Sequence, residues 1–161
     1  MKKQKGFSLI ELLIVVAIIL IIAAIAIPNL LRSKMAANES SAVGSLRTIN
    51  TAEVTYATAY PNVGYSTNLA QLGGNAASCA GAGFAAPANA CLIDDVLATA
   101  VAATPKSGYV FALVGVAGTT YTATATPKTP GTTGQRYFFT DQTGVIRYGL
   151  SSLPDNTSSP L

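Results

Sequence analysis

The chain has 161 residues, half of them hydrophobic and 11% charged, with two cysteines and neither His nor Trp. That length holds one modest domain, and the composition argues against hydrolytic or metal-dependent chemistry: an enzyme, a cofactor and a metal site are not expected. The formal charge of +3 comes from Lys2, Lys3 and Lys5, since from Gly6 onward Arg32, Lys34, Arg47, Lys106, Lys128, Arg136 and Arg147 balance the carboxylates, which argues against direct binding of nucleic acid.

Leu9 to Ile27 reads LIELLIVVAIILIIAAIAI, with Glu11 its single charge. A helix from Phe7 to Ile27, at ~1.5 Å per residue, spans about 30 Å, the thickness of a bilayer's hydrocarbon core. Lys2, Lys3 and Lys5 precede it and place the N-terminus in the cytoplasm, with the rest of the chain beyond the membrane. A cleaved secretory signal has a similar start, and "AAIAIP" carries small residues of the right kind. The length of the run and the polar helical sequence after Pro28 favour a retained segment. Glu11 is the anomaly. A carboxylate in the middle of a membrane helix costs ~2.5–3.5 kcal/mol, less near the interface, so it either snorkels to water or waits for a polar partner.

"KGFSLIELLIVVAIILIIAAIAIP", within a match from about Lys2 to Lys34, resembles the N-terminal signature of the type IV pilins and of the related pseudopilins of type II secretion. The resemblance implies a leader, residues 1–6, cut by a prepilin peptidase between Gly6 and Phe7, with N-methylation of the new Phe7 amine. It also implies that Glu11 serves assembly. Cleavage creates a positive amine where there was a peptide bond, and a neighbour's Glu11 can neutralise it in a low-dielectric core, setting register more than adding stability. The implied partners are a second copy and onward into a helical homopolymer, the prepilin peptidase and N-methyltransferase, an inner-membrane platform protein and an assembly ATPase. The implied fold is α+β: a long N-terminal helix, its first half membrane-spanning, packed on three or four antiparallel strands. The implied location is the inner membrane, single-pass, before assembly and an extracellular pilus afterwards.

Pro28 closes the spanning segment, residues 7–28. It cannot donate to the Ala24 carbonyl, and a kink or a locally melted turn is expected there, as in pilins. Residues 29–60 continue the helix in amphipathic form, with Leu46, Ile49, Tyr56 and Tyr60 recurring at helical spacing and Glu53 on the same face. With the first half this makes a helix of about 80 Å at ~1.5 Å per residue. "YPN" at Tyr60 stops it.

Residues 61–107 form a connecting loop. "GGNAASCAGAGFAAPANAC" lacks the Gly-Lys-Ser/Thr of a phosphate loop. Cys79 and Cys91 are spaced wrongly for redox or zinc motifs. A disulfide between them is worth roughly 2–3 kcal/mol and fits an oxidising compartment; two buried thiols are the alternative. Leu92 to Thr104 reads as a short helix with Asp94 and Asp95 at its start, a placement favoured over a calcium site.

Residues 108–150 alternate. "YVFALVGV", "TYTATAT" and "QRYFFTDQTGVIRY" read as strands of an antiparallel meander, with Asp141 opening and Gly144 completing a hairpin turn. Tyr121, Ala123 and Ala125 face one side and threonines the other. Residues 151–161 read as a polar, mobile tail. The function that follows is a filament subunit, a major pilin. The alternatives are a pseudopilin or minor pilin and, from another class, a membrane-anchored adhesion or binding module. The acidic C-terminal loop of the major pseudopilins has no counterpart here beyond Asp155.

Overall fold

The computed structural model describes residues 7–74, 79, 86–116 and 118–161. They fall into two units, divided between Lys34 and Met35.

Helix α1 runs from Leu9 to Ala59, 51 residues, and stays helical through Pro28. In the first unit its large hydrophobic side chains, Leu9 to Leu31, are all exposed. The helix is long and apolar enough to cross a membrane, and none of its most apolar window is buried by the rest of the chain. A soluble protein rarely leaves so much contiguous apolar surface uncovered.

The second unit has a core of its own. Along α1, Ala42, Leu46, Ile49, Ala52, Glu53 and Tyr56 are buried at steps of three and four residues, the one face a helix can offer a sheet. They meet Tyr109, Phe111 and Leu113, then Tyr121, Ala123 and Ala125, then Phe138, in one cluster. Each large apolar side chain buried there contributes about 1.5–3 kcal/mol.

The sheet is a four-stranded antiparallel meander: β1 (Tyr109–Val116), β2 (Thr120–Pro127), β3 (Tyr137–Asp141) and β4 (Arg147–Gly149), in that order. Its register aligns Phe111 with Ala125, Ala125 with Phe138, and Phe138 with Tyr148. One row of core side chains therefore crosses all four strands. At the turn before β4, Gly144 adopts φ 73° and donates its N–H to the Asp141 carbonyl, a left-handed position that a side chain would strain.

Both sheet edges are occupied. On the outer side of β1, the Phe111 N–H donates to the Ala100 carbonyl (2.8 Å) and the Gly115 N–H to that of Thr67 (3.2 Å). On the outer side of β4, the Tyr148 N–H donates to the Ser159 carbonyl (3.1 Å), and the Leu161 N–H reaches that of Ile146 (2.9 Å). The polar end, expected to be mobile, is hydrogen-bonded back instead, with the Arg147 guanidinium donating to the Ser158 carbonyl. The physical reason is the short edge strand β4, whose open backbone groups need partners.

Two further corrections concern the loop. Helix α2 (Leu69–Leu72), capped by the Asn68 side chain accepting the Gln71 N–H, was not anticipated. Helix α3 covers Asp95–Ala98 rather than Leu92 to Thr104. Its alanine-rich continuation is drawn off to hydrogen-bond β1 through Ala100, so a tertiary contact overrides helix propensity. Cys79 and Cys91 are joined in a disulfide across a sequence separation of 12.

Candidate functional site

The first turn of α1 carries the candidate site. Phe7 is 88% exposed just ahead of the helix. Ser8 occupies the position before the first helical residue, and its backbone N–H donates to Oε2 of Glu11 at 2.8 Å. Ser8-Leu9-Ile10-Glu11 matches the Ser-x-x-Glu capping pattern, in which the third helical residue reaches back to an N–H that has no intrahelical acceptor. The negative carboxylate also suits the positive end of the helix dipole.

Glu11 is thus held by its own backbone through one oxygen. The spacing was readable in the sequence, yet the isolated charge drew attention to an intermolecular partner and hid the local one. Only the Ser8 N–H engages the carboxylate among the described residues, and it takes one oxygen, so the other is free for a cation. Gly6, Lys2, Lys3 and Lys5 lie outside the described residues; of the expected cleavage bond, only the Phe7 side is described.

Two polar side chains on the second half of α1 fasten it to the sheet and to the segment that leads into β3. Glu39 accepts the Gln135 N–H (2.8 Å), the Arg136 N–H (3.2 Å) and the Arg136 Nε–H (2.7 Å). Burial would push its carboxyl up, but these donors and the Arg136 charge hold it below its ordinary value. Arg136 in turn lies over the rings of Phe138 and Tyr148. Asn50 donates to the Thr140 hydroxyl (3.0 Å) and accepts the Tyr121 hydroxyl (3.0 Å).

Glu53 is fully buried and, among the described residues, meets no cation. It accepts the Ser66 N–H at 3.0 Å and the Ser66 hydroxyl, which ties the loop after α1 to the helix. Burial raises its carboxyl above the ordinary value, and the two Ser66 bonds only partly offset that.

Asp94, weighed above as a calcium ligand, is a helix cap: its side chain accepts the Leu97 N–H (3.2 Å) and pairs with Lys106 (3.2 Å). Among the described residues, no group of three His, Cys, Asp or Glu side chains is placed to hold a metal ion.

Comparison with known proteins places the same segment. Residues 1–27 match the model of the prokaryotic N-terminal methylation motif. The chain is 60% identical over 40 residues to the type IV wide pilus major component PilA4 of Thermus thermophilus, covering 25% of this chain and 30% of that one. It is 46% identical over 54 residues to the type IV major pilin protein PilA of Myxococcus xanthus, covering 34% of this chain and 24% of that one. The matches thus span less than a third of these relatives' length. No solved structure matches the chain. Phe7, Ser8 and Glu11 therefore lie in a prokaryotic N-terminal methylation motif, and the relatives of this chain are type IV pilins.

Proposed function

We propose that this chain is the major structural subunit of a type IV pilus. Prepilin peptidase cuts between Gly6 and Phe7, the Phe7 amine is methylated, and the spanning helix holds the subunit in the inner membrane with the head on the far side. The platform protein and the assembly ATPase then move it into a filament. There the apolar half of α1 is covered by copies of itself, and Glu11 pairs with the Phe7 amine of a neighbour.

The observation that carries this reading is the combination at the first turn of α1. The exposed apolar stretch of α1, Leu9 to Leu31, has one carboxylate, Glu11, and among the described residues its single bond there, to the Ser8 N–H, leaves one oxygen free. Bringing an ammonium to that oxygen compensates both charges in an apolar medium, where a lone charge is costly. Pro28 is the natural place for α1 to loosen as subunits pack, because the Ala24 carbonyl has no donor from residue 28.

The test is Glu11→Gln. The variant keeps an oxygen for the Ser8 N–H and loses only the charge. Sheared filament should fall about tenfold or more, as each 1.4 kcal/mol of lost pairing implies, while the amount of subunit in the membrane stays as in the wild type. Undiminished filaments from Glu11→Gln would reduce Glu11 to a helix cap. A head anchored in the membrane that forms no filament at all would leave the adhesion-module reading in its place.

A further inference from the structure

Most charged side chains of the head are engaged internally; among the described residues Asp95, Arg47 and Lys128 are the exceptions. From Met35 to Leu161, Glu39 is bound to Arg136, Glu53 to Ser66, Asp94 to Leu97 and Lys106, Asp141 to Thr143, and Asp155 to Thr157 and Ser158. Among the described residues of that unit, Asp95 is the one carboxylate whose side chain makes no hydrogen bond or ion pair. Arg47 is a cation in the same condition: only its backbone carbonyl is used, by Thr51.

Asp95 is exposed in a segment that also exposes two valines. Val96 is 58% exposed and Val101 53% exposed, on either side of the buried Leu97. Arg47 stands over a depression. Ser40, Val43, Gly44, Arg47, Arg136 and Leu161 line a groove of about 430 Å³ along α1. A Cβ at Gly44 would meet nothing within 4 Å, so the groove floor is open there.

The two features lie at opposite edges of the sheet. The Asp95–Val101 segment joins the outer edge of β1, through the bond from the Phe111 N–H to the Ala100 carbonyl. The groove includes Leu161, which is bonded to Ile146 beyond the outer edge of β4. A surface of one kind on one edge and its complement on the other describes a heterologous contact, the type that adds subunits without closing.

We propose that the Asp95–Val96–Val101 segment of one subunit seats in the Arg47 groove of the next. The occupant is a second copy of this chain: the Asp95 carboxylate pairs with the Arg47 guanidinium, while the exposed Val96 and Val101 cover the open position at Gly44. The inference rests on the filament reading above. It adds to that reading a head-to-head contact that fixes neighbour spacing through charge complementarity.

The test uses the full chain in cells that assemble it. Arg47→Asp and Asp95→Arg should each lower sheared filament about tenfold, and the double exchange should recover it to within about threefold, since the exchange restores opposite charges at the contact. Circular dichroism of the detergent-solubilised subunit checks that each variant folds. Independently, Gly44→Cys combined with Val96→Cys should give a ladder of covalent multimers in oxidised filaments, and neither single variant should.

Wild-type filaments that tolerate both charge reversals and give no ladder overturn the contact and leave the filament reading standing. If the wild type forms no filament, both readings fall together.

Discussion

Two buried glutamates on one helix respond to acid in opposite directions. Glu39 is held below its ordinary value, so the stability it contributes is present above the unfolded value and is lost as pH falls through the folded one. Glu53 is raised, so the folded state binds the proton more tightly. Its contribution is largest in acid and declines as pH rises from the unfolded value, about 4.3. Glu53→Gln mimics the protonated form. Thermal unfolding of the variant between pH 5 and 8 should lack the decline that wild type shows from this group. Glu53→Ala should instead destabilise, because two buried Ser66 donors lose their acceptor at about 1–3 kcal/mol each. Glu39→Ala should cost about 2 kcal/mol, the range for hydrogen bonds to a charged group, tempered by the partial exposure of Arg136. Denaturant unfolding of the full chain in detergent measures both.

At the scale of elements, α1 joins two segments that obey different solvents. The large side chains from Leu9 to Leu31 are exposed and have no partner among the described residues, whereas Leu46, Ile49 and Tyr56 are completed by the sheet. This division was legible from hydropathy and period alone, and so were the strands, because Tyr121, Ala123 and Ala125 alternate with threonines as a half-buried sheet requires. The first-turn site was half legible: Glu11 stood out by its charge, but its bond to the Ser8 N–H was overlooked although Ser-x-x-Glu spells it. In the loop the disulfide and the capping role of Asp94 were legible, but α2 and the true extent of α3 were not, because Ala100 is claimed by β1. At the end of the chain the strand β4 was legible, but not the pairing of Ser159 and Leu161 along its outer side. Long-range backbone pairing leaves little trace in local composition. Within the loop, the Cys79–Cys91 disulfide limits the unfolded chain, and its reduction should lower stability by about 3 kcal/mol on the chain-entropy estimate. Paired melts with and without a membrane-compatible reductant test this; an unchanged midpoint would show that the bond adds nothing to stability.

For the whole molecule, the division of labour follows from where the chain is unfinished. The apolar half of α1 needs either lipid or copies of itself, and the head, with its own core and both sheet edges occupied, needs neither to fold. In the assembly proposed above, such a chain passes from membrane to polymer without rebuilding its head, and the enabling step is chemical: removal of the leader would convert the peptide nitrogen of Phe7 into a cation for the Glu11 oxygen that the Ser8 N–H leaves open. The most direct measurement is therefore mass spectrometry of the N-terminal peptide from protein sheared off the cell surface. The account predicts a peptide that begins at methylated Phe7. A peptide that still carries Met1 to Gly6 would contradict it, because Phe7 would then have no amine to offer.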